Sequence, residues 1–83
     1  MGKGDRAAGI LRERRISMSL TQEDVAAEAG IGLRAYQRYE YGHTKFSKAS
    51  MRVGLRICAA LELDPFEVVF EGGKDLAGTG NEE

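Results

Sequence analysis

Two stretches of helix-forming sequence, residues 22–29 and 33–41, stand three residues apart, and those three are Gly30, Ile31 and Gly32. A chain punctuated in this way has little freedom. Thr21 offers a hydroxyl to the unpaired N–H groups at the start of the first stretch. Asp24, three positions on, answers it as the second half of a capping box, although its side chain is shorter than the usual Glu. Gly30, just past the last alanine, supplies the left-handed backbone conformation that closes a helix end. Helices of about two turns are not stable alone in water. The pair must therefore pack against each other and against the rest of the chain.

The flanking sequence reads as more helix. Residues 5–16 place Ala8, Leu11, Arg12, Arg15 and Ile16 at the i, i+3, i+4 spacing of one helix face, until Ser17, Met18 and Ser19 interrupt it. In residues 33–41, Tyr36 and Tyr39 share one face, and Arg34, Gln37, Arg38 and Tyr41 share another, before Gly42 ends the run. A polar loop, 43–49, carries Lys45 and Lys48, and Ser50 caps a fourth helix over 51–62 with Met51, Leu55, Cys58 and Leu61 as its apolar stripe. Gly54 inside it either costs about 1 kcal/mol relative to alanine or permits a close helix contact. The last start signal is the clearest: Asp64 caps, Pro65 takes the first helical position, and Glu67 completes a capping box. Phe66, Val69 and Phe70 give that short helix an apolar face. The expectation is an all-α, compact five-helix domain over 5–71, with a flexible N-terminus at 1–4. Residues 72–83, glycine-rich and acidic, read as a disordered tail.

Composition narrows the function classes. With 83 residues there is room for one small core, and no apolar run approaches the ~20 residues needed to span a bilayer. The polar start, 1–5, lacks the apolar centre of a secretory signal. A single cysteine, Cys58, rules out an intramolecular disulfide and a cysteine-based zinc site, and with one histidine no metal site is expected. The net charge of −1 conceals an asymmetry. Residues 1–60 hold eleven Lys/Arg against six Asp/Glu, or +5, whereas 61–83 hold one against seven, or −6. Such a split suggests a basic working face and an acidic end turned elsewhere, although solvated helices also carry uneven charge by chance.

Two short helices joined by a three-residue, glycine-containing turn form a helix-turn-helix arrangement. The positions suit it. Ala26 is small where the next helix must cross closely, Gly30 allows the sharp turn, and Ile31, Tyr36 and Tyr39 are available to fill the wedge. The opposite face then presents Arg34, Gln37 and Arg38 outward. Arginine matches the guanine O6/N7 pair, and glutamine matches adenine N6/N7.

The stretch LTQEDVAAEAGIGLRAYQRYEYG resembles the lambda-repressor-like, Cro-type (XRE) helix-turn-helix family of bacteria and phages. The likeness extends over residues 8–70, and Gln22, Ala26, Gly30, Glu40 and Gly42 fall at family-motif positions. It implies a compact four- or five-helix domain that binds operator DNA as a homodimer through its C-terminal helices, in the bacterial cytoplasm at the nucleoid. It also implies that Leu33, Arg34, Gln37 and Arg38 face bases in the major groove. Phosphate contacts fall to Thr21, Gln22, Gly32, Tyr41, His43 and Lys45, with Arg15 and Glu40 as a salt bridge between the first and third helices. Gly32 departs from the Ser or Thr usual at its position and caps only weakly. Leu33 replaces an often polar residue, so it either touches a thymine methyl or merely packs. The 43–49 loop is longer than the common pattern. Tyr41 either lies against a phosphate or covers the end of its helix, and His43 is either a phosphate contact or a solvated loop residue.

Two functions follow. The first is a sequence-specific double-stranded DNA-binding regulator, a repressor, needing no cofactor and no membrane. The second is a protein-interaction module on the same fold, an antitoxin or adaptor, using the apolar and acidic C-terminal face. No catalytic residue is expected: no nucleophile–base set, carboxylate pair or phosphate-binding glycine loop can be assembled. Cys58 reads as inert core.

Overall fold

A computed structural model describes residues 6–70, and both expected terminal segments, 1–4 and 72–83, lie outside the described residues. Within 6–70 the order is α1 (Arg6–Ser17), α2 (Gln22–Ala29), α3 (Leu33–Glu40), a 3₁₀ turn (Phe46–Lys48), α4 (Met51–Leu61) and α5 (Pro65–Val69), with no strand among the described residues. The all-helical class and the five helices stand as expected.

Helix α2 begins where its capping box demands. The Thr21 hydroxyl accepts from the Asp24 N–H at 3.0 Å, and the Asp24 carboxylate accepts from the Thr21 N–H at 2.8 Å. The Thr21 N–H, with the Thr21 side chain beside it, favours the charged carboxylate and holds Asp24 below its ordinary range. The helix closes at Gly30, φ +73°, where the Ile31 N–H reaches back to the Ala26 carbonyl at 3.0 Å. Helix α3 closes in the same way at Gly42, φ +79°.

Leu11, Val25, Ala26, Ala29, Tyr36, Phe46, Ile57, Cys58, Leu61 and Val68 form the core. Helix α2 packs on α3 and α4, and α1 lies against α3, α4 and α5. Four expectations are corrected. First, α1 turns Ala7, Ala8 and Leu11 inward, while Ile16 is 55% exposed and Arg12 is exposed. Ile16 is five residues from Leu11, about 140° around the helix, so the two do not share a narrow face. Second, the polar loop contains a core residue. Phe46 is buried, meets the Tyr39 ring edge-on at 5.9 Å, and has Gly54 alongside. Third, the α4 stripe is buried only at its lower end, at Cys58 and Leu61 together with Ile57, whereas Met51 is 78% and Leu55 48% exposed. Fourth, Val68 is the buried core residue of α5, with Val69 packed partly buried against the core as expected, whereas Phe66, stacked on Phe70 at 6.0 Å, is 57% exposed. In the N-terminal half of α4, Val53 packs against the core, whereas Met51 and Leu55 border a groove. Asp64 caps α5 by accepting from the Phe66 N–H at 2.9 Å, while the Glu67 N–H goes to the Asp64 carbonyl and the Glu67 side chain returns no bond, so the expected capping box is not formed.

Candidate nucleic-acid interface

Helix α3 is divided lengthwise. Tyr36 and Glu40, one turn apart, are buried on its inner side. Arg34 and Arg38, also one turn apart, project into solvent, with the small, exposed Ala35 beside them. Neither arginine takes part in a salt bridge or side-chain hydrogen bond with another described residue. Leu33 and Gln37 lie partly exposed along the flank between the two sides.

The inner side is fixed to the rest of the protein by one carboxylate. Glu40 receives Arg15 in a two-pronged contact, Nε to Oε2 at 2.7 Å and Nη2 to Oε1 at 3.0 Å. The Tyr36 hydroxyl donates to Oε2 at 2.8 Å, and the Gln22 amide donates to Oε1 at 2.7 Å. A third Arg15 nitrogen, Nη1, donates to the Leu20 carbonyl at 2.9 Å, which ties the α1–α2 connection into the same knot. Burial alone raises a carboxyl pKa, but the bonds from Arg15, Gln22 and Tyr36 outweigh it and hold Glu40 below its usual range. Glu40 in turn raises the pKa of Arg15. Burial and the neighbouring carboxylate push the Tyr36 hydroxyl well up, so it stays protonated and donates.

The network continues outward. Gln22 Oε1 accepts from Gln37 Nε2 at 2.9 Å, and the Tyr41 hydroxyl lies 3.2 Å from Gln22 Nε2. Tyr41 is 55% exposed and its ring meets His43 edge-on at 5.9 Å. Gln22, Gln37 and Tyr41 are thus linked to one another, a coupling invisible in the sequence because its members lie 15 and 19 residues apart. The remaining expected contact residues, Thr21, Gly32, His43 and Lys45, are all exposed. Gly32 starts α3 with no side-chain cap. Of the residues expected to build the turn, Ala26 is buried, and Ile31 and Tyr39 pack partly buried against the core.

The local geometry therefore offers a short helix, anchored from behind, whose free side bears two unpaired guanidinium groups. A family model described as helix-turn-helix matches residues 11–68, most of the chain and all of this arrangement. The chain belongs to the Cro/C1-type, XRE-like helix-turn-helix family. In this family the domain is a DNA-binding, regulatory one, which makes the protein a candidate DNA-binding regulator. No curated protein matches the chain. Among the described residues no helix is long and apolar enough to cross a membrane, and no cluster of His, Cys, Asp or Glu is suited to a metal ion.

Proposed function

We propose that the protein is a sequence-specific double-stranded DNA-binding transcriptional regulator, a repressor, that lays α3 in the major groove. The observation carrying this reading is the contrast across α3: Tyr36 and Glu40 are locked inward, while Arg34 and Arg38 are exposed and unpaired. Such arginines keep their donors free for guanine edges, where each good bidentate pair is worth about 1–3 kcal/mol of discrimination. Leu33 and Gln37 extend the reading surface along its flank. Thr21, the first turn of α2 at Gln22, Gly32, Tyr41, His43 and Lys45 border it and supply the phosphate contacts that fix register without reading sequence.

The working form is a homodimer joined through α4 and α5, where Met51, Leu55 and Phe66 leave apolar surface in the open. A dimer would set two recognition helices about 34 Å apart, one for each of two successive major-groove faces. Selection of random duplex DNA by the full chain tests both parts. The expected product is a two-fold symmetric motif with half-sites about 10 base pairs apart. Recovery of no motif would oppose sequence-specific reading.

A second reading, a protein-interaction module such as an antitoxin or adaptor, is favoured by one observation. A groove of about 520 Å³ runs between the 3₁₀ turn, α4 and α5, lined by apolar groups including Phe46, Leu55 and Phe66. Retardation of duplex DNA at low salt separates the two, since this second reading predicts none.

A further inference from the structure

Among the described residues nothing accounts for the outer side of α1. Gly9 stands exposed inside the helix, where glycine costs about 1 kcal/mol relative to alanine. Its backbone is not in the left-handed region, and a Cβ added to it would meet nothing within 4 Å, so no neighbour in the fold requires its small size. Ile16, two turns further on, is 55% exposed. Between them Arg12 and Glu13 are both exposed, and neither forms a salt bridge or side-chain hydrogen bond with another described residue. No opposite charge stands three or four positions from either of them along α1.

We propose that this side of α1 is an interface with a second copy of the chain, whose own α1 lies parallel to the first. At about 100° per residue, Gly9 and Ile16 fall within about 20° of one another, and Arg12 and Glu13 flank their line by about 50° on either side. The charges select the direction of the pair. In an antiparallel two-fold pair each flank meets its own kind, Arg12 against the partner's Arg12 and Glu13 against the partner's Glu13. In a parallel pair the flanks exchange, so Arg12 meets the partner's Glu13 on both sides of the seam. Gly9 then faces the partner's Gly9 and lets the two backbones approach closely, while Ile16 covers the partner's Ile16. The surface is self-complementary, as a two-fold interface must be. Arg14 and Arg15 turn the other way, to the end of α4 and to Glu40 of α3. A second copy on α1 therefore leaves the arginine-bearing side of α3 and the groove beside α5 open. A seam one helix long is far smaller than the roughly 20–30 residues a side of a stable interface. It is weak between free chains and gains effect where copies are already held close together, as on neighbouring sites of one duplex.

Sedimentation equilibrium of the full chain at low salt tests this without DNA. Phe66→Glu is introduced first, to remove association through the groove beside α4 and α5, and circular dichroism checks the fold. This protein is expected to retain a weak, concentration-dependent dimer. Arg12→Glu or Glu13→Arg, each added alone, turns both charge pairs repulsive and should weaken that dimer by about 4- to 30-fold. An equimolar mixture of the two variants, and the double variant carrying both exchanges, should recover it. A second measurement reads the direction of the pair in the otherwise unaltered chain. Ile16→Cys should cross-link to itself under an added oxidant much faster than Ser17→Cys, with the buried Cys58 as a common background. The proposal is overturned by a folded Phe66→Glu protein that stays monomeric, by single exchanges without effect, or by a mixture or double variant that does not recover the dimer. Where Phe66→Glu does not fold, equal cross-linking of Ile16→Cys and Ser17→Cys overturns it. None of these outcomes touches the DNA-binding reading, which binding to duplex tests by itself.

Discussion

At the scale of single residues, Glu40 carries the most. Its side chain is 1% exposed and satisfies Arg15, Tyr36 and Gln22 together, so replacing it leaves a mostly buried guanidinium without its partner. Breaking one side of a buried pair costs about 3–5 kcal/mol. Glu40→Gln should fall near the lower end, since Arg15 is 14% exposed and keeps its bond to the Leu20 carbonyl; chemical denaturation measures the loss. The same carboxylate gives a pH dependence. Its folded pKa lies below the ordinary value of 4.5, so the unfolded chain binds the proton more readily. Its stabilisation is therefore complete above that value and disappears as the pH falls through the lower folded value. Thermal melts from pH 7 to pH 3 should show this loss in the parent protein and a smaller one in Glu40→Gln. The remaining acid sensitivity is expected from Asp24, whose pKa is also depressed. Cys58 gives a separate check. Burial, helped by the charge of Asp64, pushes its thiol up to about 11. Alkylation at pH 8 should consequently proceed only as fast as the chain opens, and rapid labelling of the folded protein would contradict the core placement.

At the scale of elements, the ends of the helices explain both what could be read from sequence and what could not. Four helices close by the same device: a residue in the left-handed region, followed by an N–H that reaches back five positions. At α2 and α3 that residue is glycine, and both ends were legible. At α1 and α4 it is Ser19, φ +59°, and Glu62, φ +56°, which carry no such signal. Arg14 compensates at α4 by donating to the carbonyls of Leu61 at 2.8 Å and Glu62 at 3.1 Å, clasping α1 to it. Relieving the backbone with Glu62→Gly should stabilise the protein by about 0.5–1 kcal/mol, a rise of several degrees in Tm. The same contrast holds for burial. Local spacing located the capping residues and every α-helix to within a residue or so, because those signals act over one turn. It could not show that Phe46 leaves a polar loop for the core, or that Met51, Leu55 and Phe66 do not, because those outcomes depend on how the helices cross. The face bearing Arg34 and Arg38 was legible from the i, i+4 spacing alone. The Gln22–Gln37 link was not, since it exists only once α2 and α3 are in place.

At the scale of the whole molecule, the charge split becomes a statement about binding. Residues 1–60 carry +5 and residues 61–83 carry −6, so attraction to a polyanion is concentrated in the part that includes α3. Affinity for duplex DNA should fall steeply with salt through release of counterions. Lys45→Ala should lower the slope of log K against log salt by about one, with base preferences unchanged, because a phosphate contact carries no sequence information. The groove beside α4 and α5 supplies the second large-scale expectation. Phe66→Glu should shift a self-associating protein toward monomer in sedimentation and weaken operator binding, while leaving contact with a single half-site intact. The account as a whole depends on the outward side of α3 meeting base edges, and the most direct measurement is the ratio of operator to random-duplex affinity for Arg38→Ala against the parent protein. The account predicts that the variant stays folded, keeps its affinity for random duplex to within the loss of one charge, and loses discrimination at one base pair in each half-site by about 1–3 kcal/mol. A variant that retains the parent's discrimination at every base pair would contradict it.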